Sequence, residues 1–111
     1  MEQHWVKEIP VAITVTDEAG IIIEMNDKSA KTFEKYGGKT LIGKNIMDLH
    51  PAKACDKIVE MTATKESNSY TIEKNGIKKL IYQTPWYKEG KYAGLVEISL
   101  EIPLEIPHFV R

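Results

Sequence analysis

Apolar and polar positions along this chain follow two rhythms, and those rhythms divide it into elements. Trp5, Val6 and Ile9 recur at helical spacing between Glu2 and Ile9, and Pro10 stops them, which predicts a short leading helix. Val11, Ile13 and Val15 then alternate with Ala12, Thr14 and Thr16, the period of a half-buried strand. Asp17-Glu18-Ala19-Gly20 reads as a turn whose last residue tolerates positive φ. Ile21 to Met25 follows as a second strand, so residues 11–25 form a hairpin. Asn26 suits the N-cap of a short helix with Ala30 and Phe33 on one face, which Gly37-Gly38 closes.

The second half is richer in strands. A short helix over 45–49 has Asp48 as a turn or capping residue. Pro51 is placed to open the next helix, over 52–65. That helix carries Cys55, Ile58, Val59 and Thr62 on one stripe. Tyr70 and Ile72 alternate into Asn75-Gly76, a strong hairpin signal, and the next strand runs from Lys78 to Tyr87. After the Glu89-Gly90 turn, Val96, Ile98, Leu100 and Ile102 face one way and Glu97, Ser99 and Glu101 the other. Pro103 ends this ladder. Two strands, three short helices and three strands make an α+β domain with one antiparallel sheet.

At 111 residues the chain has room for one domain. Its 42% apolar and 28% charged residues are those of a soluble globular protein, and a net charge of −1 leaves no electrostatic footprint for direct nucleic-acid binding. One cysteine excludes an internal disulfide. The N-terminus has no apolar leader run, and no stretch approaches the roughly 18 apolar residues of a membrane span. These features predict a cytoplasmic protein without membrane contact. No transmitter, kinase or helix-turn-helix signature is attached, so any output is expected to pass through contacts with another chain.

TDEAGIIIEMNDKSAKTF followed by LIGKNIMDLHP resembles the start of a PAS domain, the sensory box family. The matching positions are Asp17, Gly20, Asn26, Ala30, Ile42, Gly43, Lys44, Asn45 and Pro51. The resemblance covers 11–102. It implies a five-stranded antiparallel sheet in order 2-1-5-4-3, short helices over one face, and a cavity between them. It also implies a homodimer mediated by the leading helix, through Trp5, Val6 and Ile9. The domain plan is then a dimerisation helix at 1–10, a sensory domain at 11–103 and a proline-containing tail at 104–111. The tail's Leu104, Ile106, Phe109 and Val110 are expected to cover the sheet edge of their own subunit.

The candidate chemistry gathers at IGKNIMDLHPAKACDKI, residues 42–58. In light-oxygen-voltage photosensors, PAS relatives, a cysteine attacks flavin, and its position falls here on Ile46, which excludes that adduct. Haem-binding relatives take an axial histidine from the helix matching 52–65, which has none here, so no haem is expected. Met61 remains a possible thioether but reads as filler. His4, His50, Cys55 and His108 lack the ligand-pair spacing of a zinc site. Cys55, on an apolar stripe, reads as a small hydrophobe. His50, near a helix N-terminus, is expected to be neutral at the rim of the interior. Asn45, Ile46, Leu49, His50, Cys55 and Ile58, with Tyr82, Val96 and Ile98 from the sheet, are expected to enclose one space. Small or flexible residues such as Ala54, Met61 and Ala63 leave room for a small apolar ligand, although the sequence fits a filled core equally well. No cofactor is predicted. The function read from this is a non-catalytic sensory and interaction module in signal transduction or transcription regulation, with a downstream signalling protein as a further partner. The alternatives are a ligand-free dimerisation module, a haem sensor, or an enzyme using His50 as general base.

Overall fold

The structure, a computed structural model, describes residues 4–111. A leading helix α1 (His4–Glu8) precedes the hairpin of β1 (Ala12–Thr16) and β2 (Ile22–Met25). The expected helix start at Glu2 lies outside the described residues. Helix α2 (Asp27–Thr32) and three 3-10 turns, at Glu34–Tyr36, Gly38–Leu41 and Ile46–Leu49, lead to α3 (Ala52–Thr64). Strands β3 (Asn68–Lys74), β4 (Ile77–Lys88) and β5 (Lys91–Ile102) complete one antiparallel sheet in the order β2-β1-β5-β4-β3. Both late hairpins close on two residues of positive φ, Asn75-Gly76 and Glu89-Gly90.

The first hairpin shows why its residue pattern is needed. Asp17 Oδ1 accepts from the backbone N–H of Ala19 and of Ile21, and Gly20 turns the chain at φ +83. The loop from Ile42 to Asn45 then runs along β2. Ile22 N–H donates to Lys44, Gly43 N–H to Ile22 and Ile46 N–H to Gly20. Asn45 caps the 46–49 turn by accepting from Met47 N–H at 2.9 Å. The pattern offers Asp48 for a turn or capping role, but Asp48 lies inside the turn, whereas Asn45 precedes it and can reach a free N–H of its first residues. Pro51 is likewise the N-cap of α3 rather than its first helical residue, with ψ at 161°.

Asn26 is the best-connected side chain of the fold. It is 3% exposed and uses all four of its polar bonds. Oδ1 accepts from Ser29 N–H at 3.0 Å, capping α2, and from Ile13 N–H at 2.9 Å on β1. Nδ2 donates to the carbonyls of Val6 at 2.9 Å and Val11 at 2.7 Å, which ties α1 to the sheet. Next to it, the buried hydroxyls of Thr14 and Ser29 lie 2.5 Å apart. β1 is therefore buried on both sides, not half-buried as its alternation suggested.

Two apolar clusters flank this polar centre. Ile22, Met25, Leu41 and Ile46 form one with Phe33 and Leu49; Ile58, Met61 and Leu95 form the other with Met47. Helix α3 is rotated from the predicted stripe: Met61 is buried, whereas Val59 is 57% exposed. A glycine, Gly94, lets β5 pass under β1, where a Cβ would stand 2.0 Å from the carbonyl oxygen of Thr16. That carbonyl accepts from Trp86 Nε1, and Thr16 Oγ1 accepts from Leu95 N–H.

Asn26→Ala should destabilise the fold by about 3–5 kcal/mol, since a helix cap and several buried backbone groups lose their partner at once. Asn26→Asp keeps Oδ1 but removes the two donors. It should cost less, and amide hydrogen exchange should show protection lost around Val6 and Val11 while α2 stays protected. Equal loss in α2 would contradict this division of roles.

Candidate functional site

The register decides which residues face the helices. Glu97 pairs with Gln83 and Thr14, and Ser99 with Ile81 and Ala12. With Leu95 in the α3 cluster, this places Leu95, Glu97 and Ser99 of β5 on the helical side. Val96, Ile98 and Leu100 therefore lie on the outer side, opposite Thr84, Tyr82 and Leu80. The sequence assignment was inverted here. Period-two alternation separates the faces of a strand but does not say which one the helices cover.

The expected single enclosure is consequently divided. Leu49 and His50 border a cavity of about 290 Å³ between the helical segments and the sheet. Its floor includes Ala12, Thr14, Ile81, Glu97 and Ser99, and its walls include Phe33, Tyr36 and Tyr70. Asn45, Ile46 and Ile58 border a second groove of about 380 Å³, beside the Asp17–Gly20 turn and α3. Tyr82 and Ile98 point away from both, and Tyr82 is 39% exposed. Val96 meets the helical side only at a void of about 10 Å³ beside Ile46 and Ile58. Cys55 Sγ donates to the Met47 carbonyl at 3.2 Å, at the joint between the 46–49 turn and α3.

His50 joins the helical layer to the sheet. Its Nδ1 is 2.9 Å from the Ile46 carbonyl and its Nε2 is 3.6 Å from Glu97 Oε2. Glu97 Oε2 also accepts from Gln83 Nε2 at 3.0 Å, and Gln83 Oε1 accepts from Asn68 Nδ2 at 3.0 Å. A polar chain thus crosses β5, β4 and β3 beneath the helices. The Glu97 carboxylate holds His50 above the ordinary histidine range, against the opposing effect of burial and with help from the Ile46 carbonyl. Burial alone would raise Glu97, but His50 and Gln83 outweigh it and hold the carboxyl below its usual range. The helix terminus near His50 favours a neutral ring, whereas the carboxylate opposite it favours the charged one, and the shift follows the carboxylate.

No family model matches the chain, and no curated protein matches it in sequence. Solved structures do match. A PAS domain from Colwellia psychrerythraea superposes with a TM-score of 0.67 at 22% identity, over 91% of this chain and 93% of that one. A sensory box sensor histidine kinase from Vibrio cholerae gives 0.62 at 17% identity, over 90% and 87%. The chain has the PAS fold. The Aer2 receptor of Vibrio cholerae, a dual PAS-haem oxygen sensor, gives 0.61 at 15% identity over 83% and 94%. The cavity at His50 lies between the sheet and the helical segments of this fold. Among the described residues no three His, Cys, Asp or Glu side chains converge as a metal ligand set.

Glu97, Gln83, Phe33, Tyr36, Tyr70 and Ser99 were absent from the sequence-based site. One signal pointed to Glu97: the implied strand order makes β5 central, and a carboxylate on a central strand must be accommodated beneath a covering layer.

The pair yields a pH prediction. A raised His50 stabilises the fold below its ordinary value of 6.5, and this is lost as pH rises through the folded value. A lowered Glu97 stabilises above its ordinary value of 4.5, and this is lost as pH falls through the folded value. The contribution is full between 4.5 and 6.5. His50→Gln should therefore cost about 1–3 kcal/mol in that window and less above it. Denaturant titrations of both proteins across pH check this; a difference that is constant with pH would refute the pairing.

Proposed function

We propose that this chain is a non-catalytic sensory and interaction module that holds a small, mostly apolar ligand in the cavity at His50 and signals through contacts with a second copy or a partner. The observation that supports this most directly is the cavity itself, of about 290 Å³, close to the lower size limit of small-molecule sites of roughly 300 Å³. Its wall carries His50, so occupancy bears on a side chain that joins the 46–49 turn to the sheet. The PAS fold of the sensor structures above agrees with such a role. The two ring nitrogens of His50 are engaged by Ile46 and Glu97, and this favours binding over general-base chemistry.

The sheet's outer face supports the interaction half of the proposal. Ile13, Val96, Ile98, Leu100 and Ile102 lie there half-buried, with Tyr82 exposed. Trp5 on α1 is 65% exposed, while Val6 is buried against its own subunit. Val6 therefore drops out of the expected dimer surface, and Trp5 and the half-buried Ile9 remain. The tail does not cover the sheet edge: Leu104, Ile106, Phe109 and Val110 are all exposed. No helix of the described residues is long and apolar enough to cross a membrane.

Two measurements test this reading. Native mass spectrometry and thermal-shift screening of purified protein should find a retained or stabilising small molecule and no haem or flavin absorbance. Ser99→Phe, which fills the cavity floor, should abolish the stabilisation while the fold persists. A folded Ser99→Phe protein that responds to compounds as wild type does would place binding elsewhere. For assembly, Trp5→Ala with Ile98→Lys should turn a dimer into a monomer in sedimentation, since each apolar side chain is worth about 1.5–3 kcal/mol when buried. A double variant that remains dimeric would remove these residues from the interface.

A further inference from the structure

The cavity contains a carboxylate oxygen that the protein leaves unused. Both contacts of Glu97, from Gln83 Nε2 at 3.0 Å and His50 Nε2 at 3.6 Å, fall on Oε2. No described residue donates to Oε1, and no buried side-chain oxygen among the described residues lacks a partner. Oε1 is therefore open to the cavity that Glu97 lines. The side chain as a whole is only 14% exposed. On a side chain so largely covered, an ionised oxygen that faces the cavity is a favourable acceptor for a charge-assisted donor.

The surroundings narrow the donor. Phe33, Tyr36 and Tyr70 border the same cavity, and aromatic faces attract organic cations. Leu49 and Ile81 supply an apolar body site. Lys79 also borders the cavity; it stands opposite Glu101 in the ladder, four residues along from the Gln83–Glu97 pair, its backbone roughly 13 Å away at the strand rise, and it makes no ion pair with Glu97. His50 is the cation at hand for Glu97, and the Tyr70 hydroxyl, pushed up by burial and then by Glu97, adds no charge.

Resting on the ligand-sensing reading above, we propose that the cavity takes a small organic ammonium ion with an apolar body, whose N–H donates to Glu97 Oε1 in competition with the imidazolium of His50. One positive charge beside this carboxylate disfavours a second. When the ammonium enters, His50 releases the Nε2 proton to solvent and keeps the Nδ1 proton on the Ile46 carbonyl, 2.9 Å away. The ring becomes neutral as the ammonium brings its charge, so the cavity's net charge is unchanged. Ligand binding thereby weakens the tie between the 46–49 turn and the central strand, which is a route from occupancy to a change in the helical layer.

Three probes of similar shape separate the outcomes: phenethylammonium, 2-phenylethanol and 3-phenylpropanoate, titrated calorimetrically in two buffers of different ionisation enthalpy. The ammonium should bind best and release protons below the ordinary histidine value of 6.5. Glu97→Gln should weaken it by about ten- to a hundredfold while leaving 2-phenylethanol unaffected. His50→Gln should abolish the proton release and tighten ammonium binding at acidic pH. If Glu97→Gln fails to fold by circular dichroism, the His50→Gln comparison decides. Equal affinity for ammonium and alcohol, or a folded Glu97→Gln protein that keeps full ammonium affinity, overturns the ammonium inference while the ligand-sensing reading stands. Binding of none of the three, with no response to Ser99→Phe in any screen, overturns both.

Discussion

Four hydrogen bonds of one buried amide hold the rest of this structure in place. Asn26 sits where the end of β2 meets the start of α2, and it reaches the carbonyls of Val6 in α1 and Val11 before β1, and the N–H of Ile13 on β1. Each of these groups lies at the end of an element, where the regular ladder supplies no partner. A shorter or charged side chain leaves at least two of them unpaired in a buried place. Because α2 starts from this point, the position of Phe33 and Tyr36 over the sheet, and with them the cavity wall, follows from Asn26.

A second constraint acts across the layer. The 46–49 turn and α3 have few backbone bonds to the sheet, and His50 supplies a side-chain link between them and Glu97. The link is polar and titratable, whereas the neighbouring contacts of Ile58, Met61 and Leu95 are apolar. A protonation or binding event at His50 and Glu97 therefore changes the tie without disturbing the apolar cluster that keeps α3 in place. An exposed pair would do little of this, because solvent would screen it; here both partners are largely covered.

Much of the fold was legible. Asp17, Gly20, Asn26, Asn75-Gly76, Glu89-Gly90 and Pro103 each act through local backbone chemistry, and local chemistry is what a sequence states directly. The strand order came from the resemblance and is the order found. The site was less legible, for a reason that one strand makes plain. Val96, Ile98, Leu100 and Ile102 form the most regular apolar series in the chain, and apolar regularity suggests the interior. The helices instead cover Leu95, Glu97 and Ser99. The alternation of β5 does not say which face is covered; the distinction comes from Gly94, whose close approach to Thr16 fixes how β5 passes β1, and from a carboxylate whose partners lie in other elements. The rotation of α3 that buries Met61 and exposes Val59 is a nonlocal outcome of the same kind.

The inversion of the sheet also accounts for the cavity. A sheet that offered Val, Ile and Leu to its helices would draw them down until side chains interlocked at the density of an ordinary core. This sheet offers hydroxyls, an amide and a carboxylate in the middle of its covered face: Thr14, Ser99, Gln83 and Glu97. Such groups need geometry more than contact: Thr14, Gln83 and Glu97 are held by Ser29, Asn68 and His50 at fixed distances and resist collapse. The apolar clusters form on either side, at Ile22, Met25 and Leu41 and at Ile58, Met61 and Leu95, and act as two supports holding the helical layer apart from the polar middle. Replacing Glu97 and Gln83 together with His50 and Asn68 by apolar residues of similar size should therefore close the space and stabilise the chain, at the expense of the polar cavity.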